Sequence, residues 1–202
     1  NNNHGQIYSG RALEFDGVVD NLTLVGSEVA GLNSYANGDA YSWAVWIKGD
    51  DFSAGGNWFL GNGGTNPQYK IHTNRQLHFR TDDVGDYFVM SSSLLQDETW
   101  YRIVITADTS STMRCYINGV LDNTLEIGDA NFSGSNVFGT NNAGTKMQFN
   151  DLGNSYSSGG NTYPLTGKMS DFQLWDATLT ADDAAFDYAN PEQLALNRGG
   201  TS

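Results

Sequence analysis

Two short stretches, 68–73 and 76–81, hold most of the side chains suited to gripping a ligand. Alternation along an extended chain puts Lys70 and His72 on one side of the first stretch, with Tyr69 and Ile71 on the other. In the second, Gln76, His78 and Arg80 share a side opposite Leu77 and Phe79. If the two stretches pair about Asn74-Arg75, two imidazoles, an ammonium and a guanidinium gather on one outward face. That concentration stands out in a chain with 10 Lys+Arg against 23 Asp+Glu. Trp58, Tyr87 and the Asn-rich stretch 62–66 complete a set suited to a glycan. Aromatic rings stack on the apolar faces of sugars, while Asn, Arg and Lys donate to hydroxyl or acidic groups. The same residues also fit an ordinary solvated strand face, its bases neutralised by Asp82, Asp83 and Asp86.

Other chemistry is sparser. A single cysteine, Cys115, excludes an intrachain disulfide and a cysteine zinc site, and its strand position predicts a buried small hydrophobe. His4 lies in a polar lead, leaving His72 and His78 as the other imidazoles. Glu126 and Asp129 straddle a strand end and form no acid/base pair, and no EF-hand loop is present. A net charge of -13 argues against nucleic acid, since neutralising phosphates needs a basic footprint. The acidity fits a secreted, salt-tolerant or cation-binding protein, and equally plain solubility. No run of 18 apolar residues exists, so membrane insertion is not expected. Asn21-Leu-Thr and Asn131-Phe-Ser are glycosylation sequons, relevant only to a secreted eukaryotic chain. The start at Asn1 and the end in Arg198-Gly-Gly-Thr-Ser read as cuts from a longer or processed chain.

These side chains need a scaffold, and the strongest part of it is 100–121. A Trp-led strand, a polar turn and a second strand end in Asn118-Gly119, which sets a tight hairpin turn at positive φ. Trp100, Ile103, Ile105, Cys115 and Ile117 are predicted to be core. Residues 41–48 are apolar on both sides and read as a central strand covered in part on both faces, with Trp46 as packing and Trp43 open. Further strands are predicted at 11–15, 21–25, 57–60, 87–91, 120–127, 146–151 and 167–175, with 61–67 as a flexible connection. One helix is predicted from Thr180 to about Tyr188, opened by a capping-box-like Thr180-Ala-Asp-Asp and stopped before Pro191. With 202 residues, frequent turns and no internal repeat, the prediction is all-β. It takes the form of one two-sheet antiparallel jelly-roll sandwich with one short C-terminal helix. The domain covers 11–190, after a polar lead-in at 1–10 and before a tail or linker at 191–202.

Five segments in order resemble laminin-G-like domains of the concanavalin A-like lectin/glucanase superfamily. They are the opening 12–17 with 20–24, the strand 41–48, the Trp-led strand 100–106, the Asn-Gly hairpin 114–119 and the closing 167–180. The run 188–198 resembles the end of such domains in large marine phage and bacterial surface proteins. The resemblance implies that a structural Ca²⁺ sits between the opening turn and the closing strand. The matching positions here are Asp16, the Gly17 carbonyl and Asp171, with local backbone capping as the alternative role of both aspartates. It also implies a test for catalysis, because glycoside hydrolases of this fold carry Glu-x-Asp-x-x-Glu on one strand. Here Glu14-Phe15-Asp16 begins that string, but Val19 stands where the second Glu belongs, so no catalytic residue is assigned.

The expected function is therefore a non-catalytic carbohydrate-binding or adhesion module of an extracellular, cell-surface or virion protein. Its partner is a glycan or glycosylated surface, bound by Trp58, Lys70, His72, His78, Arg80 and Tyr87. The alternatives are an assembly domain that self-associates or packs on other structural subunits, and a glucanase-like hydrolase.

Overall fold

The computed structural model describes residues 12–18, 20–23, 40–54, 57–62, 65–80, 88–108, 112–126, 151–153 and 164–191. Among the described residues two six-stranded antiparallel sheets face each other. Sheet A runs in the order β1 (Leu13–Asp16), β12 (Thr166–Trp175), β3 (Tyr41–Gly49), β8 (Tyr101–Ala107), β9 (Thr112–Ile117), β10 (Val120–Glu126). Sheet B runs β2 (Leu22–Thr23), β11 (Asp151–Leu152), β4 (Asn57–Asn62), β5 (Thr65–Ile71), β6 (Leu77–Arg80), β7 (Phe88–Val89). Among the described residues one helix, α1 (Ala181–Ala189), follows β12. The all-β two-sheet jelly-roll sandwich with a short C-terminal helix is thus the observed architecture. The lead-in 1–10 and the tail beyond Pro191 lie outside the described residues.

Alternation decides what goes inside. Tyr41, Trp43, Val45 and Ile47 of β3 point at sheet B, as do Ile103 and Ile105 of β8 and Met113 and Cys115 of β9. Facing them, Phe59, Leu60, Tyr69, Ile71, Leu77 and Phe79 close the core from sheet B. The two sheets meet through aromatic rings. Trp43 sits edge-on to Tyr69 at 4.7 Å and to Phe59 at 5.9 Å, and Tyr69 stacks on Phe79 at 4.7 Å. Each such pair adds about 0.5–1.5 kcal/mol beyond the area it buries. Trp100, predicted as core, is instead half-buried: it precedes β8, and Tyr101 beside it only packs against the core margin.

The stretch 61–67, predicted as a flexible connection, is mostly strand. β4 and β5 continue until Asn62 pairs with Thr65. Pro67 cannot donate to a ladder, yet it is accommodated, because it falls in the register shift between Gly61 and Asn62. It also lies beyond Gln68–Arg80, the last pair of β5 with β6.

The outer face of sheet A is covered as well. Ala44, Val104, Tyr116, Leu179 and Ala184 form a second apolar cluster under α1, with Trp175 packed on it. Ser42 pins the approach to the helix by donating to the Ala177 carbonyl at 2.7 Å and accepting the Leu179 N–H at 2.9 Å. Thr180 opens α1 with a complete capping box: its hydroxyl accepts the Asp183 N–H, and the Asp183 carboxylate accepts the Thr180 N–H at 2.9 Å. The Asn118-Gly119 turn has φ of 53° and 78° and lies against α1, where a Cβ on Gly119 would sit 3.1 Å from the Ala185 Cα. Among the described residues no helix is long and apolar enough to cross a membrane.

At the centre of this outer layer lies Arg102, fully buried. Its Nε and Nη2 hold both oxygens of Asp187 on α1, at 2.5 and 2.9 Å. Its Nη1 donates to the Asp171 carbonyl at 2.8 Å, Nη2 lies 3.1 Å from the Asp171 carboxylate, and the guanidinium carbon stands 5.9 Å from the Trp46 ring. Arg102→Met leaves the Asp187 carboxylate buried without its cation and is expected to cost about 3–5 kcal/mol of unfolding free energy in urea titration. Arg102→Met/Asp187→Leu is expected to recover most of that loss; a single mutant with an unchanged midpoint shows the ion pair to be dispensable.

Candidate functional site

The outer face of sheet B is built by the β4–β5–β6 register. Trp58 pairs with Lys70, and Lys70 with His78. Because Tyr69, Ile71, Leu77 and Phe79 turn into the core, the side chains between them turn out. The Lys70 ammonium lies 5.0 Å from the centre of the Trp58 ring, within reach of a cation–π attraction. His72 stacks on His78 with ring centres 4.5 Å apart and an interplanar angle of 14°. Four of the six expected ligand-binding residues are therefore brought together. Arg80 is placed by register at the end of the row, opposite Gln68, and nothing is described of its side chain. Tyr87, the Asp82, Asp83 and Asp86 expected to neutralise the bases, and residues 63–64 of the Asn-rich stretch lie outside the described residues.

The face differs from the expected open strand surface in its depth. Trp58 and His78 are each only 7% exposed, while Lys70 and His72 are half-buried. The Lys70 ammonium lies over the Trp58 ring, His72 stacks on His78, and Pro164 bridges to the Trp58 backbone. A surface rim of Lys70 and His72 thus stands on a floor of Trp58 and His78. His72 Nδ1 is used locally, 3.3 Å from the Thr73 hydroxyl and 3.4 Å from the Asn74 N–H. This assigns the proton of the neutral ring to Nε2, which is then the ring's donor.

The turn that carries His72 is held from below. The His72 N–H donates to the Gln76 carbonyl at 2.9 Å, and Arg75 adopts a left-handed φ of 67°. That conformation is uncommon for Arg, and three hydrogen bonds retain it. Arg75 grips both oxygens of Asp97 at 2.9 and 2.6 Å, and its carbonyl accepts the Leu95 N–H at 2.8 Å. The Arg75 guanidinium and the Phe52 N–H hold the Asp97 carboxyl below the usual range. The Arg75–Asp97 clamp carries no signal in the sequence, since its partners stand 22 residues apart with no motif linking them.

The expected calcium seam does not assemble. Asp16 pairs in register with Thr166, five positions before Asp171 on β12, or about 16 Å at ~3.3 Å per residue. Asp16 accepts the Val18 N–H at 2.8 Å, closing the turn at Gly17, whose φ is 74°. Asp171 meets Arg102 and the Gln173 amide instead. The half-buried Asp171 carboxylate meets a guanidinium, and strand register sets the two aspartates apart. Among the described residues no three His, Cys, Asp or Glu side chains converge in a way that could hold a metal. Glu14 and Asp16, the start of the glucanase-like string, lie on the edge strand β1, where Glu14 pairs with Lys168 at 3.6 Å.

The His78 imidazole has its pKa lowered to about 4, first by burial and then by His72 and Lys70 beside it. The folded protein therefore binds this proton less readily than the unfolded chain. Stability from the neutral ring is full above pH 6.5 and is lost as pH falls from 6.5 towards 4. The loss is expected to be about 2–3 kcal/mol. His78→Phe, which keeps a ring in the stack, is expected to flatten that part of the stability–pH curve relative to wild type; an unchanged slope in urea titrations at pH 4.5 and 7 contradicts the assignment.

Comparison with known proteins places this geometry. A laminin G family model described as the concanavalin A-like lectin/glucanases superfamily matches residues 16–185. No curated protein matches the chain in sequence. Among solved structures, the receptor binding domain of botulinum neurotoxin D is similar with a TM-score of 0.57 at 17% identity, over 90% of this chain and 44% of that one. The heptameric SAP-like pentraxin of Limulus polyphemus gives 0.55 at 14% identity, over 88% and 81%. Domain 4 of an extracellular arabinanase of Geobacillus stearothermophilus, solved with arabinotriose, gives 0.50 at 16% identity, over 88% and 71%. The chain spans less than half the length of the neurotoxin domains it matches, 42–44%. At these identities the likeness is one of fold. With the family model covering most of the chain and the lectin-like sandwich on the page, the protein belongs to the concanavalin A-like lectin/glucanases superfamily as a laminin-G-type domain.

Proposed function

We propose that the domain is a non-catalytic carbohydrate-binding or adhesion module that engages glycans through the outer face of sheet B. The observation that carries this reading is the row Trp58–Lys70–His78–His72, assembled by strand register on one face. Half-buried Lys70 and His72 offer an ammonium and an imidazole N–H, two donors for hydroxyl or carboxylate oxygens. The burial of His78 keeps that ring neutral near pH 7, so the stack stays intact beside Lys70. Lectin-like relatives of the same fold support a binding role, including one arabinanase domain solved with arabinotriose. The local engagement of Glu14 and Asp16 on an edge strand supports the non-catalytic reading. An extracellular, cell-surface or virion setting fits such a module.

The test is a glycan array, followed by calorimetry on any hit and on arabinotriose, with wild type and Lys70→Ala/His72→Ala. Both side chains are half-buried at the surface, so the fold, read by circular dichroism, should persist. Loss of at least tenfold in affinity is expected. No glycan bound, or binding untouched by the double substitution, overturns the reading.

A second reading, an assembly domain, is favoured by one observation. Val120 and Leu121, on the edge strand β10, are 68% and 50% exposed, and the nearby segment adds exposed Leu94. Ser92 ties that segment to β10 through its N–H to Asp122 at 2.6 Å. Sedimentation velocity of wild type and Val120→Lys/Leu121→Lys decides it: concentration-dependent association abolished by the charges is expected for an assembly domain, and a monomer at all concentrations rejects it.

A further inference from the structure

A cavity of about 140 Å³ opens at the margin of the sandwich, where β1 and β12 of sheet A approach β11 of sheet B. Its walls are Leu13, Phe15, Leu152, Met169 and Phe172. Leu13 is half exposed, and Gly153 closes in behind Phe15. Only Ser170 and Asp171 bring polar groups to the lining. The size matches one small ring, since a cavity of about 150 Å³ accepts benzene.

Asp171 belongs to a cluster whose charge does not balance. Arg102 supplies one positive charge, and Asp187 and Asp171 supply two negative ones. Asp187 takes two of the guanidinium's N–H groups and is buried with it. The hydrogen bonds to the Asp171 carboxylate converge on Oδ2, from Arg102 Nη2 at 3.1 Å and Gln173 Nε2 at 2.8 Å. Oδ1 has no partner among the described residues. The surplus negative charge therefore lies on Asp171, which lines the cavity and whose side chain is 29% exposed. Burial pushes its carboxyl above the ordinary range despite Arg102, as expected of a carboxylate one cation short. The backbone is also bent to hold it there. Asp171 has a left-handed φ of 50° inside the irregularity of β12 between Ser170 and Gln173, a strained conformation for a non-glycine residue.

We propose that this cavity binds a compact organic cation, an ammonium on a ring-sized apolar body, with the ring among Leu13, Phe15 and Phe172 and the ammonium against Asp171. A metal ion does not fit, because one carboxylate among apolar walls falls far short of six to eight oxygens. An anion meets the surplus negative charge. A neutral apolar ring would strip water from the carboxylate without replacing it. The site is separate from the proposed glycan face, so either can fail without the other.

The probe is benzylamine at pH 7, compared with benzyl alcohol and benzoate and followed by backbone amide shifts at 169–173. Benzylamine is expected to bind at least tenfold more tightly than benzyl alcohol, with benzoate not binding. Asp171→Asn is expected to remove the preference for the amine. Leu13→Trp, which fills the mouth and leaves the Arg102 cluster intact, is expected to abolish binding, and it decides the matter if Asp171→Asn fails to fold. Benzylamine binding no more tightly than the alcohol, or equally well to Leu13→Trp, would falsify the proposal.

Discussion

One buried guanidinium organises half of this domain. Arg102 stands on the central strand β8 but points away from the core, where an apolar residue would be expected under a helix. Because it is fully desolvated, it must keep its partners. Asp187 fixes the position of α1, and the Asp171 carbonyl fixes the irregular turn of β12. The helix in turn covers Trp46 and the Asn118-Gly119 turn, with Tyr188 at 5.7 Å from the Trp46 ring. Such a network stabilises less than an apolar seam of equal volume. It is directional, however, and directs one helix to one place on a broad sheet.

The two faces of the sandwich are finished in different ways. Sheet A hides its outer side under a helix. Sheet B covers its outer side with its own long side chains, an ammonium over an indole and one imidazole over another. The second solution leaves polar atoms at the rim while the ring bodies fill the floor. That arrangement is what makes the sheet B face a candidate for recognition. The aromatic contacts between the sheets and the Arg75–Asp97 clamp at the turn hold it rigid.

Asp171 shows how one physical premise can be met by more than one partner. A carboxylate on a strand bound for the core needs a cation or donors. Sequence similarity pointed to calcium shared with Asp16. The strand register separates the two residues, and Arg102, 69 positions away in the chain, supplies the charge instead. Trp100 illustrates the same limit on a smaller scale. Its type and motif indicate core, yet its place just before β8 leaves it half-buried.

What the sequence determined by itself was everything carried by short-range pattern. Alternation at 41–48, 68–73 and 76–81 decided which side chains enter the core and which share a face, because a strand's period is two regardless of its neighbours. Asn118-Gly119 and Thr180 declared a turn and a helix start through local backbone chemistry. Trp58, Lys70, His72 and His78 were legible as a set for that reason. Tertiary structure alone decided the depth of the set, the turning of Asp187 to the buried face of its helix, and the pairing of Arg102 and Arg75. Those outcomes depend on contacts between residues tens of positions apart, and a carboxylate on a helix looks the same in sequence whether water or a guanidinium waits beside it.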